Sequence, residues 1–255
     1  MRGRTLRLAA TGLSMSLVLG ACASQNGLVP GENPEQAAMV NVQLALAYMR
    51  LDKLAIARHF VARALREDAH DATVQATAGL VYERLGEASN ARRAYDEAAR
   101  LGKGDPDIMN TYAGYLCRSH RNAEGVKVFR EVMASPLYLT PEVAMVNAGV
   151  CLEGAGDDAA AERYFKRALA VRPNMPAAML ESGALALRRK DPAKAAVLVE
   201  RYLAVNPPSP GILWLGLRAE RALGHADGAA NYAQQLEKDF PASSEARMLQ
   251  AGIPQ

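Results

Sequence analysis

Apolar and polar positions alternate with helical spacing through most of the chain, and the apolar stripes come in pairs. The pattern is plainest from Glu142 to Met175, where Tyr164, Phe165, Ala168 and Leu169 share one helix face. Gly156 tolerates the backbone of a helix end, Asp157 suits the cap of the helix that follows, and Pro173 stops it. The stretch therefore predicts two amphipathic helices, about 142–154 and 158–171. Gly149 and Ala161 are small where these helices would cross, so their backbones can approach closely. A single hairpin of this kind cannot bury its own apolar face and needs a neighbour on each side.

The neighbours recur in register. The small residue of the first helix returns as Ala45, Gly79, Ala113, Gly149 and Gly183, with Leu217 breaking the rule in the last copy. That of the second helix returns as Ala57, Ala91, Gly125, Ala161, Ala195 and Ala229, at spacings of 34, 34, 36, 34 and 34 residues. Pro173, Pro207 and Pro241 end the later copies. This spacing resembles the tetratricopeptide (TPR) repeat, whose period is about 34 residues. The expected fold is an all-α solenoid of six TPR hairpins at 38–71, 72–105, 106–139, 142–175, 176–209 and 210–243. Residues 244–255 are expected to supply a short capping helix over the last apolar face.

The start of the chain has a different character. Arg2, Arg4 and Arg7 precede an apolar run from Leu8 to Gly20, too short for a spanning helix of about 20 apolar residues. Residues 1–21 read as a secretory signal peptide. Leu19-Gly20-Ala21-Cys22 resembles a bacterial lipobox, which implies that Cys22 is lipidated and becomes the first mature residue. Several acyl chains give stable membrane attachment. Ala23 in place of Asp, as in enteric lipoproteins, implies the outer membrane, facing the periplasm. Residues 22–37 then read as the lipidated cysteine and a Gly/Pro/Asn-rich tether.

Charge and chemistry narrow the function. The chain carries 30 Lys and Arg against 27 Asp and Glu, and the signal peptide removes three arginines and no acid. The mature chain is therefore near neutral and gives no reason to propose nucleic acid. His59, His70, His120 and His225 are isolated, with no i, i+4 metal pair. Gly154-Ala155-Gly156 lies between helices, not after a strand, so it is no nucleotide loop. Asp157-Asp158 is more simply a helix N-terminus. No enzyme, metal or cofactor is expected.

Two extra residues follow the third repeat, in Ala134 to Pro141 (ASPLYLTP), as a contact loop or as a plain loop of tolerated length. Asn110-Thr111-Tyr112-Ala113-Gly114-Tyr115-Leu116-Cys117, Ser135-Pro136-Leu137-Tyr138 with Pro141, and Asn147-Ala148-Gly149-Val150-Cys151 resemble the type IV pilus biogenesis lipoprotein family, PilF or PilW. The resemblance spans lipobox, tether, six repeats and insert. It implies a monomeric, non-enzymatic pilotin that binds the pilus secretin and supports its outer-membrane localisation and multimerisation. His120-Arg121 departs from the Gly-rich turn expected there. The alternative is another outer-membrane TPR lipoprotein, an adaptor for barrel-protein or cell-wall assembly; an enzyme regulator or accessory hydrolase is a third.

Two site readings remain. Cys117 and Cys151 sit near the ends of first helices in adjacent repeats, so they form either a disulfide or two buried thiols. Positions 2, 5, 9 and 12 of each repeat are expected to face the concave side. In the first repeat these are Met39, Val42, Leu46 and Met49, all apolar, which suggests a partner groove for an amphipathic helix.

Overall fold

The computed structural model describes residues 33–252. The signal peptide, Cys22 and all but the last residues of the tether lie outside them. Six helical hairpins follow one another: α1 (Pro34–Arg50) with α2 (Leu54–Glu67), α3 (Ala72–Arg84) with α4 (Ala88–Leu101), and α5 (Pro106–Arg118) with α6 (Asn122–Ala134). Then come α7 (Pro141–Gly154) with α8 (Asp158–Val171), α9 (Pro176–Arg188) with α10 (Pro192–Leu203), and α11 (Pro210–Leu223) with α12 (Ala226–Asp239). A last short helix, α13 (Ser244–Gln250), packs on α11 and α12 and buries Ala246. The described residues contain no strand. None of their helices is long and apolar enough to cross a membrane.

The helix ends follow from local chemistry. Asp71, Asp105, Asp157 and Asp191 accept backbone N–H groups at the starts of α3, α5, α8 and α10, and Ser209 and Ser243 do so for α11 and α13. Proline opens α5, α7, α9, α10 and α11, where its missing N–H costs nothing. Proline also opens α1 at Pro34, so Pro34 to Ala37, read from the sequence as tether, are helical.

Each hairpin turn places one residue in the left-handed region at the same repeat position: Asp52, Gly86, His120, Gly156, Lys190 and Gly224. The His120-Arg121 departure therefore keeps the turn geometry, at the cost of a side chain where glycine is easier.

The small-residue rule has a direct structural cause. A Cβ at Gly79 would meet the Tyr95 ring at 2.8 Å, and one at Gly149 would overlap Phe165. In each case an aromatic of the second helix lies against the first. Tyr95, Phe129 and Phe165 recur at that position and are fully buried, as are Ala45, Ala113, Ala161 and Ala195. Leu217, the exception, is buried as well, in a core with Ile212, Leu213 and Leu236.

Between repeats, the first helices touch in one row: α1, α3, α5, α7, α9, α11. The second helices contact first helices but not one another. A row packed closely on one side and open on the other defines the inner face of a curved stack.

Candidate protein-binding face

The inner row carries a series of arginines that recurs from repeat to repeat. Position 13, near the end of each first helix, is Arg50, Arg84, Arg118, Gly154, Arg188 and Ala222. Three of these arginines reach back to an acid of the preceding repeat. Arg84 meets Asp52 at 2.9 Å, and Arg118 meets Glu83 at 2.7 Å. Arg188 meets Glu153, and also Asp158 at 3.2 Å.

The Glu83 and Glu153 pairs occupy equivalent places but differ electrostatically. Burial alone would raise the Glu83 carboxyl, yet two hydrogen bonds from Arg118, a third from the Tyr95 hydroxyl and the Arg118 charge hold it below the usual range. Burial also raises Tyr95, as does the carboxylate it donates to. For Glu153 burial wins: its side chain is 8% exposed against 27% for Glu83. Arg188 pulls its pKa down, the Asp158 charge pushes it up, and the net shift is upward.

At the junction of the third and fourth repeats Gly154 leaves position 13 empty, and Cys117 and Cys151 are joined by a disulfide with Cα atoms 5.3 Å apart. The bond explains Gly125, the one non-alanine at its repeat position: a Cβ there would overlap Cys117 Sγ and lie 2.9 Å from the Ala113 carbonyl. Beside the disulfide, Gly114, Asn147 and Val150 help line an open cavity of about 320 Å³. Asn147 donates to Asn110 across the same junction at 3.2 Å.

The loop before α7 adds an apolar feature. Tyr138 is buried in the core of the third and fourth repeats and pins the loop. Its neighbours Leu137 and Leu139 are 71% and 90% exposed.

Of the four residues that the sequence suggests as a groove, the structure places one in the core and leaves Met39, Leu46 and Met49 half-buried. Val42 is 4% exposed, packed with Ala38, Ala64 and Val74, and so is core. Met39 and Leu46 lie half-buried against that cluster, and Met49 packs against a second one with Ala45 and Val81. Val74 of α3 packs against Val42, a contact that a single hairpin lacks. The exposed large apolar residues of this repeat are Val40, Leu44, Leu51 and Ile56. Val40 stands where Val74, Ile108 and Ala144 of later repeats are covered by the hairpin before them.

At the other end, Arg218 and Arg221 of α11 line an open cleft of about 430 Å³ with Leu187 and Ala222. They stand at the repeat positions of Leu46 and Met49.

Comparisons with known proteins fit this architecture. Residues 42–106 and 146–210 match the tetratricopeptide repeat family model. The chain is 25% identical over 251 residues to the type IV pilus assembly protein PilF of Pseudomonas aeruginosa, covering 98% of both chains. The crystal structure of PilW, described as a widely conserved type IV pilus biogenesis factor, aligns with a TM-score of 0.69 at 29% identity, over 84% of this chain and 99% of that one. A solved Pseudomonas aeruginosa PilF structure aligns with a TM-score of 0.63 at 24% identity, over 87% of this chain and 100% of that one. The chain belongs to the tetratricopeptide repeat family and is homologous to the pilus biogenesis proteins PilF and PilW.

Proposed function

We propose that this protein is a pilotin: a lipoprotein, anchored through Cys22 in the outer membrane, that binds the type IV pilus secretin and supports its localisation and multimerisation. The observation that carries the reading is the end-to-end correspondence with PilF, which includes the terminal segments as well as the repeats common to many scaffolds. A non-enzymatic scaffold is supported by the repeat family that the chain matches, whose stacked hairpins present an inner row of side chains. The exposed Leu137 and Leu139 offer an apolar contact beside the disulfide-linked junction.

The test is genetic and biochemical. Deleting the protein should remove the detergent-resistant secretin multimer from outer-membrane fractions, and the wild-type chain should restore it. A Cys22→Ser form should restore multimers only in part or in the wrong membrane. An unchanged multimer in the outer membrane of the deletion strain would sink the proposal and favour the general assembly adaptor.

A further inference from the structure

The inner face of the last repeat carries charge that the chain itself does not answer. Elsewhere along the row, three arginines are matched: Arg84, Arg118 and Arg188 each donate to an acid of the preceding repeat, while Arg50 of the first repeat has no preceding repeat to supply one. The chain places an acid at position 12 in two repeats, Glu83 and Glu153. In the sixth repeat positions 9 and 12 are both arginine, Arg218 and Arg221, one helical turn apart. Neither guanidinium has a hydrogen-bond or ion-pair partner among the described residues. Two like charges at this spacing repel by a few tenths of a kcal/mol, a cost that an external anion would reverse.

The setting selects among anions. Arg218 and Arg221 open onto a cleft walled by Leu187 and Ala222, so an occupant meets apolar surface as well as charge. The helix beneath is anchored in the core: Ile212, Leu213, Leu215, Leu217 and Ala219 of α11 are buried. Guanidinium groups match carboxylates in a two-pronged geometry that an ammonium cannot reproduce. A carboxylate beside an apolar side chain satisfies both features of the cleft, whereas a free inorganic anion satisfies one.

We propose that the inner face of the sixth repeat is a docking site for an acidic segment of a protein partner, with Arg218 and Arg221 gripping its carboxylates and Leu187 and Ala222 receiving the adjoining apolar side chain. The site does not depend on that partner being a secretin.

Fluorescence anisotropy of the full chain with a labelled peptide of alternating Asp and Leu tests this. Saturable binding is expected, weakened by salt and not displaced by the Lys-Leu counterpart. Arg218→Glu with Arg221→Glu should weaken it by about tenfold or more. Substitution of both by Lys should give an intermediate loss, because charge remains and the fork does not. Arg66→Glu with Arg163→Glu, on second helices, should leave binding unchanged. Arg221→Glu alone, at an exposed position, guards against a folding defect and should still weaken binding. Equal binding by the wild type and by Arg221→Glu, or no binding by the wild type, would overturn the proposal. So would binding through these arginines to phosphatidylglycerol vesicles but not to the peptide.

Discussion

Two junctions of the stack hold their repeats together by different chemistry. Between the second and third repeats, Arg118 reaches back to Glu83, with the Tyr95 hydroxyl completing the cluster. Between the third and fourth, the arginine is replaced by Gly154 and the link is covalent, Cys117 to Cys151. Only the second junction carries two extra residues, which lengthen the connection between α6 and α7. A longer connection constrains the approach of neighbouring hairpins less. A half-exposed ion pair supplies at most about 1 kcal/mol and yields to salt. A disulfide ignores salt and limits the unfolded chain. The covalent link therefore stands where two residues are inserted between repeats, and it braces the loop that displays Leu137 and Leu139.

Removing the covalent link is the largest test of this contrast. Cys117→Ala with Cys151→Ala should lower unfolding stability by about 3–4 kcal/mol for a loop of this length, read as a lower urea midpoint. Reducing the wild type should do the same. Equal midpoints for oxidised and reduced protein would show that the inter-repeat core alone fixes this junction. Gly125→Ala sharpens the point, because it restores the residue that the other five repeats use. In the disulfide-bonded protein the added methyl overlaps Cys117 Sγ and should cost about 1–3 kcal/mol. In the cysteine-free background at least half of that cost should disappear, a coupling that a double-mutant cycle measures directly.

The two glutamate–arginine junctions supply a smaller test, in pH. Glu83 is held low, so the folded state favours its charged form. Its contribution is present above the ordinary glutamate value of 4.5 and is lost as pH falls through its lowered folded value. Glu153 is raised, so the folded state favours its protonated form. Its contribution is present below 4.5 and is lost as pH rises through its raised folded value. At neutral pH Glu83→Gln should therefore destabilise, while Glu153→Gln should be neutral or slightly stabilising. Both effects should be about 1 kcal/mol or less, since the paired arginines are half exposed. Acidification through 4.5 should bring each variant back toward the wild type. Parallel pH profiles for the two variants would mean that the differing surroundings of the glutamates, with Tyr95 beside one and Asp158 beside the other, do not govern them.

Much of the stack was legible in the sequence because its repeat rule is local. Gly149 and Ala161 mark a crossing, Gly156 and Asp157 a turn, and α8 runs from Asp158 to Val171 as that turn and Pro173 imply. The parts that were not legible depend on neighbouring repeats. Val42 occupies an inner-face position in a single hairpin and becomes core only when α3 brings Val74 against it. The cysteines admitted both a bridge and free thiols, because sequence spacing does not set the 5.3 Å approach of their Cα atoms. The recurrence of arginine at 50, 84, 118 and 188 is visible in the chain. The acids that meet Arg84, Arg118 and Arg188, in the hairpin before each, are identified only by stacking. Pro34 misled for a simpler reason: a proline after Gly and Asn reads as linker, yet it is also a favoured first residue of a helix.

The smallest expected effect lies at the first junction. Arg84 and Asp52 repeat the position-13 theme at 2.9 Å, but their side chains are the most exposed of the three pairs. Exposed pairs gain little attraction and lose side-chain freedom, so Arg84→Ala should change stability by less than about 0.5 kcal/mol in chemical denaturation. A value near zero would place the binding of the first repeat to the second in its apolar core, where Val42 meets Val74. A cost matching that of Arg118→Ala would instead point to the arginine's methylene stem, lying along the helix end as packing. Arg84→Met separates these cases, because it keeps the stem and removes the charge. Recovery of stability by methionine would reassign the whole position-13 series from electrostatics to covered apolar area.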